Sequence, residues 1–224
     1  MTDRQIQILI DSFWPMLEAG IRFTLPLAIF SFLLGLILAV LTALARLSSF
    51  SLLRQIARFY VWIIRGTPLL VQLAIIFYGL PMISGSLEFD PFTAALIGFS
   101  LSVGAYGSEI VRAAIESIAK GQWEAAYAIG MTRSEALRRI ILPQAARVSV
   151  PPLANSFISL VKDTSLAGAV TYVELYRTSE QIVATTYEYL LVYSEAAVIY
   201  LIFTTILSAL QNRLEKRLRR SSAN

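Results

Sequence analysis

Residues 159–168 read SLVKDTSLAG, which sets Lys162 and Asp163 side by side between two apolar stretches. Ionised side chains at bilayer depth are rare and mark functional sites by default. Neighbours on a regular helix point about 100° apart, so no private ion pair is expected; each must face another element, a partner chain or water. Asn155, Ser156, Ser159, Thr164 and Ser165 add an amide and hydroxyls to the same stretch. So many polar groups are poorly tolerated against lipid, and the segment is expected to face a bundle interior, a cavity or a second chain. Two accounts stay open. These groups, with unwound backbone, line a path, or they form an interior network pinning helices together, with Arg65 and Glu109 as partners.

Glu109, with Tyr106 and Ser108 close by, either joins that path or pairs with Arg112 at i+3. Arg65 precedes Gly66-Thr67-Pro68, where proline disturbs a helix and frees carbonyls. A break there could border the path, or Arg65 could satisfy the freed carbonyls. Phe77 and Tyr78 read as interfacial anchors.

Much other chemistry is excluded. Cysteine and histidine are absent, so there is no thiolate nucleophile, disulfide framework, imidazole base or zinc-finger spacing. Lys120, Lys162 and Lys216 are followed by Gly121, Asp163 and Arg217, so no lysine ends a phosphate-binding loop. No cofactor or metal is expected in this chain.

These residues must be positioned by membrane helices. Of the 224 residues, 56% are apolar and 15% charged, with mean hydropathy +0.64. Soluble domains carry about 25% charged residues. A span needs roughly 20 apolar residues. Five such stretches occur, at roughly 21–44, 59–80, 92–115, 150–170 and 189–210, which predicts an all-α integral membrane protein forming one domain over 1–224. The N-terminal stretch has acids and no basic n-region, so it does not read as a secretory signal.

Loop charge orients the chain. Arg46, Arg54 and Arg58 follow the first span, and Arg112, Lys120, Arg133, Arg138, Arg139 and Arg147 follow the third. Arg213, Lys216, Arg217, Arg219 and Arg220 follow the fifth, while the opposite side holds only Arg4, Arg22 and Arg177. The expectation is an outside N-terminus and a cytoplasmic C-terminus, whose basic tail meets anionic lipid headgroups. The positive net charge is then a topology signal, and no nucleic-acid partner is expected.

The connection at roughly 116–149 is too polar to span and too patterned to be a linker. Ile115, Ile118, Ala119, Trp123, Ala126 and Ile129 recur at helical spacing, Gly130 reads as a left-handed C-cap, and Thr132 with Glu135 as a capping box. Leu137, Ile140 and Ile141 give the second helix an apolar face that Pro143 stops or kinks. The unit packs on its own membrane domain or docks a cytoplasmic subunit.

Glu124-Ala125-Ala126, Gly130, Ile140, Leu142 and Pro143 reproduce the spacing EAA-x3-G-x9-I-x-L-P, and here the chain resembles the permeases of ABC importers. RGTPLLVQL, KGQWEAA, ILPQAARV, PPL and NSFISLVKDTSL extend the resemblance to the polar amino-acid uptake permeases, over nearly the whole chain. The wording is most similar to the bacterial L-cystine permeases, although relatives for glutamine, arginine and histidine share most of it.

The resemblance implies a permease subunit, not an enzyme, in the bacterial inner membrane. It implies a second permease chain, identical or paralogous, an ATPase dimer that binds ATP and magnesium, and an extracytoplasmic binding protein. The helix around Glu124–Gly130 would seat in the ATPase, gripped through Trp123, Ala125 and Ala126. The polar groups of the fourth span could then receive a zwitterionic amino acid, which needs donors for its carboxylate and acceptors for its ammonium. An ATP-independent channel or carrier, and an intramembrane enzyme using Asp163 or Glu109, are the competing readings. The first leaves 116–149 without a purpose, and the second lacks a matching carboxylate.

Overall fold

The computed structural model describes residues 1–220; the side chains of the tail residues Arg217, Arg219 and Arg220 lie outside the described set. Every regular element among the described residues is helical.

Helix α1 (Asp3–Ala19), a π-turn (Gly20–Thr24) and α2 (Leu25–Leu47) form one 45-residue helix. Thr2 and Gln5 close a capping box at its start. The stretch expected at 21–44 is therefore only the second half of a longer helix. The first half is amphipathic, and its buried Ser12, Met16 and Ala19 hold it to the fold.

The expected span at 59–80 is corrected. Helix α3 runs Ser51–Gly66, and α4 (Leu69–Ala74) continues through a π-turn (Ile75–Gly79) into α5 (Leu80–Ile83). The two limbs meet at 105°. Proline forces its predecessor out of helical geometry, and Thr67 is accordingly extended, at φ −123° and ψ 149°. The carbonyls freed by the break are satisfied by Gln72 rather than Arg65: its amide donates to Ile64 O at 2.8 Å and Thr67 O at 3.1 Å.

A short 3-10 turn (Gly85–Leu87) leads to α6 (Pro91–Glu116), close to the expected 92–115. Asp90 caps it, accepting from the N–H groups of Phe92 and Thr93, and Pro91 occupies the first turn, where its missing N–H costs nothing. The predicted stripe through Ile115 and Ile129 is interrupted after α6. A separate α7 spans Lys120–Ala128, and Ile129 is 75% exposed.

Pro143 does not stop the next helix. Helix α8 (Arg133–Ala136), a π-turn (Leu137–Ile141) and α9 (Leu142–Asp163) run on without a break. Proline lies in the first turn of α9, directly after the wide turn that takes up the lost hydrogen bond. The fourth expected span, 150–170, ends as an α-helix at Asp163 and tightens into a 3-10 segment (Thr164–Val170). Thr171 then turns the chain in the left-handed region, at φ 63°. Helix α10 (Leu175–Thr186) was not expected, and α11 (Tyr189–Arg220) outlasts the predicted 189–210.

Three of these helices are long and apolar enough to cross a membrane, or four if the bent pair counts as one. Helices α2 and α6 form the most extensive contact. Glycine permits it: a Cβ on Gly35 would fall 2.5 Å from Val103 Cβ. The apolar core has three parts. One is central, around Leu27, Phe99 and Val161; one joins α1 to α10 and α11; one gathers Ile115, Ile141 and Trp123 at the opposite end.

Candidate functional site

A cavity of about 540 Å³ opens between the α3–α4 bend, α6 and α9. Arg65 and Leu69 line it from the bend, Ser102, Tyr106 and Glu109 from α6, and Ser156, Ser159 and Asp163 from α9. Each wall follows from its helix. On α9, positions 156, 159 and 163 recur at three and four and so share one face. On α6, 102, 106 and 109 do the same. The bend after Gly66 turns α4 away and leaves Arg65 at the mouth.

Lys162 and Asp163 do separate, as the helical spacing requires. Both are exposed, but Asp163 lines the cavity and Lys162 lies outside its lining. Among the described residues neither forms an ion pair. Asn155 turns elsewhere and accepts from Gln211 of α11 at 3.0 Å. Thr164 is fully buried and its hydroxyl donates to Val161 O at 2.7 Å; Ser165 donates to Lys162 O at 2.8 Å. Those two hydroxyls close the end of α9. Phe77 packs against the central core, and Tyr78, half exposed, donates to Ala169 O at 3.0 Å.

Glu109 gathers three arginines. One carboxylate oxygen accepts from Arg46 of α2 at 2.6 Å and Arg65 of α3 at 3.1 Å; the other accepts from Arg112 at 2.8 Å. Arg112 continues to Glu116 at 2.6 Å. Arg65 also lies over the Tyr106 ring, with Cζ 5.2 Å from its centroid. Glu109 thus pairs with Arg112 at i+3 and also lines the cavity. Arg46 was missed as a partner, because as a sequence it is only a charge at the end of a span. Gln72 was missed too; nothing local distinguishes it.

At the far end, Gly130 takes φ +82°. Met131 N–H donates to Ala126 O at 3.1 Å and Gly130 N–H to Tyr127 O at 3.0 Å, the paired bonds of a Schellman ending. A Cβ on Gly130 would meet nothing within 4 Å, so backbone conformation alone demands glycine. The capping box follows at once. Thr132 N–H donates to Glu135 Oε2 at 2.9 Å, and Glu135 N–H returns a bond to Thr132 Oγ1 at 3.3 Å. The backbone bond from Thr132, aided by its hydroxyl, holds the Glu135 carboxyl below the usual range.

The two faces of α7 differ. Ala126 is buried, Trp123, Ile140 and Leu142 pack into the third core cluster, and Gln144 donates to Gln122 Oε1 at 3.1 Å. Glu124, Ala125, Tyr127 and Ile129 are exposed, and so is Pro143.

Residues 14–220 match the family of binding-protein-dependent transport system inner membrane components. The L-cystine transport system permease protein TcyB of Bacillus subtilis (strain 168) is 56% identical over 94% of this chain and 89% of its own. The glutamine transport system permease protein GlnP of Escherichia coli (strain K12) is 40% identical over 92% of this chain and 94% of its own. The crystal structure of an amino acid ABC transporter with histidines superposes with TM-score 0.88 at 33% identity, covering 97% of this chain and 100% of that one.

Proposed function

The chain belongs to the binding-protein-dependent transport system inner membrane components, and on that premise we propose that the polar amino acid it carries is L-cystine. It is a multi-pass inner-membrane permease subunit of an ATP-driven amino-acid importer, and hydrolysis falls to a separate ATPase.

The observation that carries the substrate reading is the cavity, whose wall sets the Arg65 guanidinium and the Asp163 carboxylate around one space. A zwitterion needs such opposed partners, with Ser156 and Ser159 as neutral donors and acceptors beside them. Arginine can release part of its hold on Glu109 to a substrate carboxylate, because that contact uses one of its five N–H donors. The likeness to TcyB favours cystine over glutamine within the class.

Five crossings are the reading that suits this arrangement: α1–α2, the bent pair, α6, α9 and α11, with the N-terminus outside. Helix α9 carries Arg147, Lys162 and Asp163, yet it packs along α6 and ends at the cavity. The outward face of α7 would seat in one subunit of an ATPase dimer that binds ATP and magnesium. A second permease, this chain or a paralogue, would complete the path, and a binding protein would deliver substrate. The unbroken helix from Arg133 to Asp163, about 45 Å long, would carry movement of α7 to the cavity wall.

The test is uptake of radiolabelled cystine into membranes holding this chain with its ATPase and binding protein, with glutamine, arginine and histidine as competitors. We expect ATP-dependent uptake, displaced best by unlabelled cystine and lost in Gly130→Val while the complex still assembles. Uptake without ATP would overturn the coupling role, and preferential displacement by another amino acid would overturn the substrate.

A further inference from the structure

Where α2 ends, a cavity of about 630 Å³ opens between it, the end of α6 and the α7–α8 turn. Its lining is of two kinds. Leu44, Leu47, Ile115 and Leu137 are apolar and largely covered, whereas Lys120, Arg133, Ser49 and Ser134 are polar and exposed. Glu116 lines it too, but Arg112 already holds its carboxylate at 2.6 Å. Among the described residues neither Lys120 nor Arg133 forms an ion pair, and Arg133 donates only to Leu47 O, at 3.5 Å. The polar side of the cavity thus carries two cations without a counter-charge.

That cavity does not end at α2. Leu44 and Ser48 also line a groove of about 650 Å³ between α2 and α3. Leu38 and Leu101 carry the groove on into a further hollow of about 320 Å³ between α2 and α6. One stripe of α2 borders groove and hollow throughout, because Leu34, Leu38, Leu41, Ala45 and Ser48 recur at three and four residues. Past Ser48, the only polar side chains lining it among the described residues are Thr42, Tyr60 and Ser100, and the Tyr60 hydroxyl is spent on Leu101 O at 2.6 Å. From Leu34 to Ser48 the helix rises about 21 Å. One leaflet with its headgroups is about 20–22 Å deep, half of a bilayer. A groove of one leaflet's length, apolar along its course and cationic at one end, has the polarity of a phospholipid.

We propose that this groove retains one anionic phospholipid of the leaflet on the α7 side, with its phosphate between Lys120 and Arg133 and an acyl chain laid along the α2 stripe. Helix α2 belongs to one of the segments apolar enough to span, so its exposed Leu34 and Leu41 meet acyl chains in any case. What singles out this position is the head pocket, where two cations and neighbouring hydroxyls meet a phosphate's charge and its acceptor oxygens. A zwitterionic lipid would bring its own cation to the same place and gain less. Because α2, α6 and the α7–α8 turn all border the head pocket, the lipid would bridge the membrane helices to that turn. The proposal requires that the chain is a membrane component, and does not depend on the substrate.

The test is native mass spectrometry of the detergent-purified complex of this chain with its ATPase, titrated with dioleoylphosphatidylglycerol or dioleoylphosphatidylcholine. The masses report assembly of every variant alongside lipid binding. We expect one phosphatidylglycerol per permease chain, held at least tenfold more tightly than phosphatidylcholine. Lys120→Gln and Arg133→Gln should each weaken phosphatidylglycerol about fivefold, the effect of one cation near a headgroup, and together should abolish the preference. Leu41→Trp, which adds bulk to the groove, should weaken both lipids together. Equal binding of the two lipids, an unchanged preference in the double variant, or unchanged binding in Leu41→Trp would overturn the proposal. Displacement by millimolar inorganic phosphate would reveal a bare anion pocket. Failure to retain any lipid would mean that a protein chain covers the groove, and either result overturns it equally.

Discussion

The helical turn around Gly130 and the cavity around Arg65 are built by opposite means. From Ala126 to Glu135 every defining bond is local: two backbone bonds wrap Gly130, and two reciprocal bonds join Thr132 to Glu135. The cavity draws on three separate helical segments, and its central carboxylate, Glu109, holds Arg46 and Arg65 from 63 and 44 positions away. A local unit should therefore fail locally when altered, whereas the cavity should lose helix-to-helix registration. Substitutions in the two regions can break or sharpen that contrast.

The largest effect is expected from Glu109→Gln. It strips the carboxylate that Arg46 and Arg65 share and leaves a partly exposed cluster of positive charge, at a cost of about 2–3 kcal/mol after solvent screening. Thermal unfolding of the purified complex should shift down by several degrees. An unchanged midpoint would mean that the network contributes nothing to packing.

Gly130→Val should come next. A left-handed backbone costs an L residue about 1–2 kcal/mol, roughly a tenfold shift toward other conformations, and more for a β-branched side chain. ATP-dependent uptake should fall at least tenfold with unfolding unchanged, whereas Gly130→Asn, which tolerates that region, should stay within about threefold. Equal loss in both would point to surface contact rather than backbone as the reason for glycine.

Gln72→Leu removes the amide that bridges Ile64 and Thr67 at the bend. Leaving such carbonyls unpaired costs about 1–3 kcal/mol. Protease or hydrogen-exchange protection should fall around residues 63–72 and hold near 130, the reverse of what a change at Thr132 would do.

The smallest effect is expected at the capping box. Thr132→Ala should cost about 1 kcal/mol, read as faster amide exchange in the first turn of α8. The pH response has a defined sign. Because Glu135 is held below the usual carboxylate range, its support is complete above that range and is lost as pH falls through the depressed value. The protection of residues 133–136, taken relative to intrinsic exchange at each pH, should therefore fall only in acid below the ordinary carboxylate range. Loss of protection already at neutral pH would show that Glu135 does not hold the turn.

What could be read from residue types follows the same division. Gly130, Thr132 and Glu135 were legible because glycine, threonine and glutamate at those spacings satisfy one another within a single turn. Helix α6 was legible because a long apolar run fills it. The separation of Lys162 from Asp163 followed from helical geometry alone. Pro68 announced a disturbance, but neither the 105° angle nor the role of Gln72, because a bend is set by what packs on both limbs.

The sequence by itself determined the class of the protein, the turn chemistry around Gly130 and the polar character of α9. Each rests on hydrophobic content or on bonds between near neighbours. Only the tertiary structure decided that Arg46 and Arg65 share Glu109, that Asp163 rather than Lys162 faces the cavity, and that Pro143 sits inside a continuous helix. Those outcomes depend on which helix faces meet. Spacing within one helix says which residues share a face, but only packing says what that face touches.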